Sequence, residues 1–368
     1  MFPTFYRHCI AEYLKQHFLV TGVLATIVIL VDFSALSNRT ALVADTTVLH
    51  ALIVAAARLP FFLGEITFLT SFIAGLLTFS ALTTSQEALI LRATGTSGWR
   101  FVGLIGATAG ATSLLFAVAG SGLVAWSTRQ AVSIEGERFG RISEISIFSA
   151  KTPNSWASKE ILWEGEPTLV SVQIDKFNAN TDSFSDVRID FKDSSDLYTR
   201  WIKASQGRVV DGGLLLKDVT SIHFGESPTE LEELFLAVPL DSPLLGATSI
   251  APNSLGILGL FDHIQLSAQA GLAAVNFRLR LMQLLALPFL AFGAVLLSSF
   301  FALRSPRHGN RGLWMVGGFV LAGNLFFTHN MSLAFGTLSL MHAYLVVWIL
   351  PTIMILSGFL LLSFLEDG

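Results

Sequence analysis

One polar segment separates two long apolar stretches of the chain: Thr84-Ser85-Gln86-Glu87-Ala88-Leu89-Ile90-Leu91-Arg92-Ala93-Thr94-Gly95-Thr96-Ser97-Gly98-Trp99-Arg100. Thr84 and Glu87 have the spacing of a capping box, and Gly95 is suited to end a helix in the left-handed conformation. The pattern predicts a helix over residues 84–95. About three turns are too short for a bilayer that requires roughly 20 apolar residues. The apolar stretches are therefore predicted to be separate membrane spans, with a short docking helix between their ends.

The composition is that of a membrane protein. Hydrophobic residues make up 52% of the 368 residues, charged residues 14%, and the mean hydropathy is +0.62. These values lie outside the range of ordinary soluble domains. The net charge of -4 excludes a strongly basic nucleic-acid-binding protein. Cys9 is the single cysteine, so neither a disulfide framework nor a cysteine-based metal site is expected.

Six apolar stretches are long enough to cross a bilayer. The first does not resemble a cleaved signal peptide, because it is long and no clear small-residue cleavage site follows it. Glycines in the third stretch favour close packing of helices in lipid. The predicted spans are Phe18–Leu36, Val48–Leu82, Phe101–Trp126, Ala273–Leu303, Leu313–Leu333 and Met341–Leu365.

The middle of the chain has a different pattern. From residue 127 to 266 charges become frequent, apolar runs shorten and alternation with a period of two appears. Such alternation indicates half-buried strands, and Asp-Gly-Gly between two apolar runs indicates a hairpin. The prediction is an antiparallel β domain of about eight short strands, a sandwich or partly open jelly roll. The segments that carry it are Thr168–Phe177, Val187–Phe191, Asp211–Gly213 and Val219–Phe224.

The predicted fold is an α-helical integral membrane protein with six transmembrane helices and an inserted antiparallel β domain. Its parts are residues 1–126 with the short helix at 84–95, the β domain at 127–266, and the last three helices at 267–368. Basic residues favour the cytoplasmic side of short loops. Residues 304–311 contain three arginines, and the polar segment 84–100 adds Arg92 and Arg100, whereas the opposite loops contain only Arg39. We therefore expect cytoplasmic termini and a β domain on the far side of the membrane.

Two parts of the polar segment, Gln86–Leu89 and Arg92–Ser97, resemble the coupling segment of the lipopolysaccharide export permeases, the LptF/LptG (YjgP/YjgQ) family. The family layout of six helices with a periplasmic jelly roll after the third is also similar to the layout predicted here. By this resemblance Glu87, Arg92, Gly95 and Ser97 belong to a helix that sits in a groove of the ATPase LptB. The alternative is local: Glu87 caps the helix and Arg92 compensates its dipole.

The resemblance implies a function and partners. The chain would be the permease subunit of an ABC-type transporter that extracts lipopolysaccharide from the outer leaflet of the inner membrane. It would pass the lipid to a periplasmic β-jelly-roll bridge. The partners would be a paralogous LptF-like permease, an LptB-like ATPase dimer, and LptC- and LptA-like bridge proteins. Loose similarity in residues 258–265, 276–288 and 318–336 makes the chain more LptG-like than LptF-like.

No catalytic or cofactor site is predicted. The sequence contains no Walker A loop, no H-E-x-x-H and no G-x-S-x-G motif, so ATP hydrolysis is expected in a separate subunit. The eight histidines have no metal-ligand spacing. Two other functions remain open: export of another lipid by the same architecture, and a membrane scaffold or sensor that needs no ATPase.

Charged residues within the spans are the candidate substrate contacts. A charge at the bilayer centre costs about 2.5–3.5 kcal/mol on insertion scales, so such residues usually face a partner or a cavity. Arg58 and Glu65 lie two turns apart on either side of Pro60, and we expect them to neutralise each other or to meet a neighbouring subunit. Asp32 either marks the outer end of the first span or belongs to the substrate site. LptG-like members often place a lysine just before this aspartate, and here the preceding residues are apolar.

Two arginines at the outer start of the fourth span are candidates to replace that lysine. Arg278 and Arg280 each present a planar fork of donors that fits a phosphate group. Their alternative role is interfacial anchoring, with the side chains reaching the headgroups. The predicted substrate-binding residues are therefore Asp32, Arg58, Arg278 and Arg280.

Overall fold

A computed structural model gives the structure of the protein. It describes residues 2–40, 48–85, 97–139, 155–163, 166–178, 183–192, 198–210, 213–223, 229–236, 251–269, 274–303, 311–337 and 342–367. The contacts divide the chain into two compact units. One unit is helical and comprises residues 1–150, 253–257 and 278–368. The other contains the sheet and comprises residues 151–252 and 258–277.

Six helical stretches of the described chain are long and apolar enough to cross a membrane. Lipid offers no hydrogen-bond partners, so a long apolar segment in a membrane forms a helix, in which the backbone N–H and C=O groups bond to each other. The predicted class, six spans with an inserted antiparallel β domain, is confirmed. The helices are α1 (Phe2–Thr40), α2 (Val48–Thr84), α3 (Gly98–Leu115), α4 (Ser121–Phe139), α6 (Val275–Ala302), α7 (Arg311–Thr337) and α8 (Ala343–Asp367). The third span consists of α3 and α4 joined by a π-helical turn, Phe116–Gly120.

Two helices extend beyond the apolar stretches that predicted them. α1 begins at Phe2, well before the predicted start of the span, because its polar first half also favours helix. In that half Gln16 donates to the Glu12 carboxylate at 2.8 Å, and Lys15 lies 3.6 Å from the same carboxylate. Pairs at these spacings support a helix from the solvent side. α4 likewise continues to Phe139, past the predicted end at Trp126.

The helical unit is packed by small and aromatic side chains. One cluster joins α1, α2, α3 and α6, and a second joins α2, α6 and α8 with Ala322 of α7. Small residues let membrane helices approach closely. At Gly358 in α8, an added Cβ would lie 2.7 Å from the Leu296 Cβ of α6, so glycine permits this contact. Fully buried members include Tyr13, Phe68, Phe72, Phe79, Phe101 and Ile105.

The second unit contains a six-stranded antiparallel sheet in the order β1-β2-β3-β4-β5-β6. The predicted hairpin is confirmed, because β4 and β5 pair with Val210 opposite Gly213. The predicted strand segments lie within β2, β3 and β5, except for Phe224, which is outside the described residues. The described residues contain six strands rather than about eight. The strands are β1 (Ser155–Trp163), β2 (Glu166–Asn178), β3 (Ser183–Lys192), β4 (Tyr198–Val210), β5 (Gly213–His223) and β6 (Thr229–Leu236).

Alternating side chains of the middle strands form the core of this sheet. Val187, Ile189 and Phe191 of β3 are buried, as are Ile202 of β4 and Leu216 of β5. This is the period-two pattern expected when one sheet face is covered. A short 3₁₀ helix (Pro252–Ser254) and helix α5 (Ile257–Gln269) follow before the fourth span.

Candidate functional site

The first buried charge pair joins the first and second spans. Asp32 of α1 and Arg58 of α2 are almost completely buried, and an Nη1–Oδ1 distance of 3.4 Å separates the two groups. Burial in apolar surroundings penalises each isolated charge, and proximity of the opposite charge offsets that penalty. The structure thus brings two of the predicted substrate residues together in a buried ion pair between the first and second spans.

The second charge pair joins the second and fourth spans. Arg280 of α6 donates from Nη1 to Glu65 Oε1 at 2.8 Å and to the amide oxygen of Gln283 at 3.2 Å. Its guanidinium carbon also lies 5.3 Å from the centre of the Phe61 ring. A bonded carboxylate, an amide and an aromatic face together compensate the buried cation. Arg280 is therefore held inside the helical unit, with 9% of its side chain exposed.

The predicted mutual pairing of Arg58 and Glu65 is wrong. Each residue instead pairs with a charge on another helix: Arg58 with Asp32 on α1, and Glu65 with Arg280 on α6. Spacing along one helix showed that the two side chains share a face, but a neighbouring helix offers a closer partner than a residue two turns away. α2 consequently forms one ion pair with α1 and one with α6, and the two α2 residues lie on either side of Pro60.

Arg278 and Arg280 have different surroundings. Residues two apart on a helix point in directions about 200° apart, so they cannot share one ligand from the same face. Arg280 is buried in the pair with Glu65, whereas Arg278 is exposed. Of the four predicted substrate residues, Arg278 alone has an exposed side chain in the structure.

A small cavity lies beside the Glu65–Arg280 pair. It has about 20 Å³ of room for water-sized molecules, and its wall includes Gln283 and the buried ring of His329. His329 of α7 makes an edge contact with Phe68, their ring centres 5.1 Å apart. A volume of this size holds about one water molecule. The cavity is completed by Gly64, Leu284, Leu287, Leu290 and Val347.

The coupling segment lies mostly outside the described residues, and this holds for Glu87, Arg92 and Gly95. Ser97 is described: it is exposed, immediately precedes α3, and its carbonyl accepts a hydrogen bond from the Arg100 amide at 3.1 Å. Thr84 is the last residue of α2, and its hydroxyl donates to the Ser80 carbonyl at 2.8 Å. A residue inside a helix lacks the extended backbone of an N-cap, so the structure gives Thr84 a different place from the one that the capping box predicted.

An aromatic contact follows the coupling segment. Trp99, in the first turn of α3, stacks on Phe359 of α8 with ring centres 5.3 Å apart and an interplanar angle of 22°. The start of α3 is thereby fixed against the last span.

Sequence reasoning missed the roles of Glu65, Gln283 and His329. A usable signal was present, because the spans contain two acids, Asp32 and Glu65, as well as the bases Arg58, Arg278 and Arg280. Acids and bases in the same set of spans indicate internal pairing as well as ligand binding.

The fold and the buried ion pairs define a multi-span membrane protein with an inserted β domain. A family model described as "Lipopolysaccharide export system permease LptF/LptG" matches residues 7–363. The chain belongs to this family. Membership makes it a multi-pass inner-membrane protein and a permease component of lipopolysaccharide export. The family covers both paralogues together, so the LptG-like assignment stays a prediction. No curated protein sequence matches the chain.

Proposed function

We propose that this chain is the permease subunit of an ABC-type transporter that extracts lipopolysaccharide from the outer leaflet of the inner membrane. It passes the lipid to a periplasmic β-jelly-roll bridge. The observation that carries the proposal is the family match over residues 7–363, together with six spans and an inserted antiparallel sheet in the same chain. The proposed partners are an LptF-like paralogue, an LptB-like ATPase dimer, and LptC- and LptA-like bridge proteins.

The burial of the spans supports a cavity shared with a second permease. In the most apolar window of the first and fifth spans 17% of the residues are buried, against 67% in the fourth span. The exposed faces carry large apolar side chains such as Leu30, at 60% exposure, and Val320, at 67%. We propose that these two spans line the lipid cavity and meet the paralogue, while the fourth span forms the fixed centre of the subunit.

Arg278 is the proposed phosphate contact. Its exposed guanidinium stands near the start of the fourth span, and the buried pairs Asp32–Arg58 and Glu65–Arg280 fix the helices that support it. A charge-assisted hydrogen bond to a phosphate contributes about 1.5–3 kcal/mol, which corresponds to roughly 10- to 150-fold in affinity. In this proposal Asp32, Arg58 and Arg280 act on the substrate through helix position rather than by contact.

Crosslinking of lipopolysaccharide tests that contact in the assembled transporter. Arg278→Gln is expected to lower crosslinking at least tenfold, and Arg278→Lys to lower it less, since lysine keeps the charge but loses the planar fork. Arg100→Gln is the matched control, because it removes an exposed arginine at the start of the third span, far along the chain from Arg278. Equal crosslinking in all three variants returns Arg278 to the role of an interfacial anchor. Mass spectrometry of the co-purified lipid decides between lipopolysaccharide and another lipid.

The coupling proposal places Glu87, Arg92, Gly95 and Ser97 against the ATPase. Glu87→Gln keeps an acceptor for capping and removes the charge, whereas Glu87→Lys reverses the charge. Loss of a buried interface charge costs about 2–5 kcal/mol of binding, so both variants are expected to reduce co-purification of the ATPase, lysine more strongly. If glutamine behaves like the parent and only lysine fails, Glu87 acts as a helix cap. Full binding in both variants removes this segment from the interface.

The proposed orientation places both termini and the coupling segment in the cytoplasm and the sheet in the periplasm. Single cysteines at Ser97 and at the exposed Glu232 of β6 test it, in a Cys9→Ser background. An impermeant thiol reagent added to spheroplasts should label the Glu232→Cys protein and leave the Ser97→Cys protein unlabelled until the membrane is opened. The reverse labelling overturns the orientation and the docking proposal together.

A further inference from the structure

The wall of the cavity beside the Glu65–Arg280 pair contains polar groups whose hydrogen bonds are incomplete. His329 is 7% exposed, and across the described ranges its ring contacts Phe68 edge-on and forms no hydrogen bond. The side-chain oxygen of Gln283 accepts from Arg280, and its amide nitrogen still has two hydrogens to donate. Burial of such groups without partners is unfavourable, so a partner from outside the chain is expected here.

Two residues of the cavity wall also have carbonyl groups that lose their helical partner. Leu284 lies four residues before Pro288 in α6. Val347 has the same relation to Pro351 in α8. Proline has no N–H group, so neither carbonyl receives the hydrogen bond that a regular α-helix would give it. Ordered water is one of the means by which membrane helices satisfy such carbonyls.

We propose that this cavity is an internal water site. One ordered water molecule hydrogen-bonds to the His329 ring and the Gln283 amide, and one of the two carbonyls in the wall accepts from it. The volume of about 20 Å³ is sufficient for one water molecule and too small for a phosphate group. Water both donates and accepts, which matches this mixed wall. A cation is disfavoured, because the Arg280 guanidinium already supplies the positive charge that Glu65 needs.

The water gives the fifth span an indirect attachment to the buried ion pair. In the most apolar window of that span 17% of the residues are buried, so direct packing holds it less tightly than the fourth span. A water-mediated hydrogen bond is nearly as favourable as a direct one, and the water molecule can turn to another partner when a helix shifts. The site lies within the helical unit, and the proposal does not depend on the transported cargo.

X-ray radiolysis of the full-length chain in detergent detects such a water directly, because hydroxyl radicals form from the bound molecule and oxidise the side chains beside it. Leu290 and Leu296 of α6 are a matched pair, since each is 1% exposed. Leu290 lies in the cavity wall, whereas Leu296 packs in the cluster that joins α1, α2, α3 and α6. Mass spectrometry should find that Leu290 is oxidised severalfold faster than Leu296.

The substitution His329→Phe tests whether the water is bonded to the imidazole. Phenylalanine keeps an aromatic ring beside Phe68 but offers water no hydrogen-bond partner. Loss of the bridge should lower the melting temperature by about 2–6 °C and bring the oxidation of Leu290 close to that of Leu296. In a dry cavity the same substitution would raise the melting temperature, because it removes an unpaired buried polar group.

Three results overturn the proposal. Equal oxidation of Leu290 and Leu296 shows that the cavity is dry. Fast oxidation of Leu290 that His329→Phe leaves unchanged shows a water molecule without the bridge to α7. A melting temperature that rises with sodium or ammonium chloride, but not with choline chloride at equal concentration, assigns the site to a cation. If His329→Phe fails to fold, His329→Leu removes the same partner, and the comparison of Leu290 with Leu296 needs no variant.

Discussion

The Glu65–Arg280 pair should make a large contribution to the stability of the helical unit. Two unit charges 2.8 Å apart attract each other by about 6 kcal/mol at an effective dielectric constant near 20. Desolvation cancels part of this gain, yet removal of one partner from a buried pair typically costs about 3–5 kcal/mol. The Glu65 side chain is 19% exposed, which favours the lower end of that range.

Arg280→Met is the perturbation that tests this reasoning, since methionine keeps much of the apolar stem. A loss of about 3 kcal/mol corresponds to a fall in melting temperature of about 6–12 °C at 2–4 °C per kcal/mol. The assay is loss of the monodisperse size-exclusion peak of detergent-purified protein after heating. Arg278→Met is the matched control, because Arg278 carries the same charge as Arg280, lies two residues before it and is exposed. This variant should shift the melting temperature by less than about 2 °C.

A double-mutant cycle then separates the pair from its members. Glu65→Met should destabilise the protein by leaving Arg280 without its carboxylate. The double variant should recover at least half of the loss, since an apolar replacement of a buried pair is often close to neutral. Equal melting shifts for Arg278→Met and Arg280→Met, or single effects that add to within about 0.5 kcal/mol, refute the assignment of Glu65–Arg280 as a coupled buried pair.

The other predictions concern the second ion pair, helix packing and pH. Asp32→Ala removes the carboxylate that faces buried Arg58 and should cost about 2–3 kcal/mol of stability in the same heating assay. The loss should be smaller than that of Arg280→Met, because the charged atoms of Asp32 and Arg58 lie 3.4 Å apart rather than 2.8 Å, and an equal or larger loss contradicts this reasoning. Gly358→Ala should lower the free energy of unfolding by about 1–3 kcal/mol, because the added methyl group would overpack against Leu296. Gly323→Ala should be neutral or stabilising, because no atom lies within 4 Å of the added carbon. Equal effects of the two variants contradict the close helix contact at Gly358. Burial lowers the pKa of His263, so its neutral form favours the folded state; this stability is present above pH about 6.5 and falls as the pH drops through the lowered pKa. The protection of α5 amides relative to their intrinsic exchange rates should fall on acidification, and His263→Phe should remove that response.

Hydropathy and period-two alternation were sufficient to predict the fold class, because both patterns report burial averaged over many residues. The six spans agree with the predicted stretches to within a few residues at most ends, and the hairpin at Val210 and Gly213 was evident from its turn residues. The early start of α1 at Phe2 was missed. A polar amphipathic segment and a membrane helix have the same backbone, and hydropathy detects only the second.

The charge partners were not predictable in the same way. Asp32 and Arg58 are 26 residues apart in sequence, and Glu65 and Arg280 are 215 apart. Local spacing identifies which side chains share a helix face, but the choice of partner depends on which helices pack together. Arg278 and Arg280 were grouped by proximity in sequence, although a helix directs them to opposite sides. Side-chain environment, rather than residue type, separates the exposed arginine from the buried one.

The two ion pairs have an electrical consequence for the moving transporter. A single charge carried across a membrane potential of 100 mV exchanges about 2.3 kcal/mol with the field. Asp32 with Arg58, and Glu65 with Arg280, instead travel as neutral dipoles whenever their helices shift together. The field then acts only on the small displacement between the two charges of a pair. Rearrangements that keep both pairs intact therefore proceed at nearly the same rate in a polarised membrane as in a depolarised one.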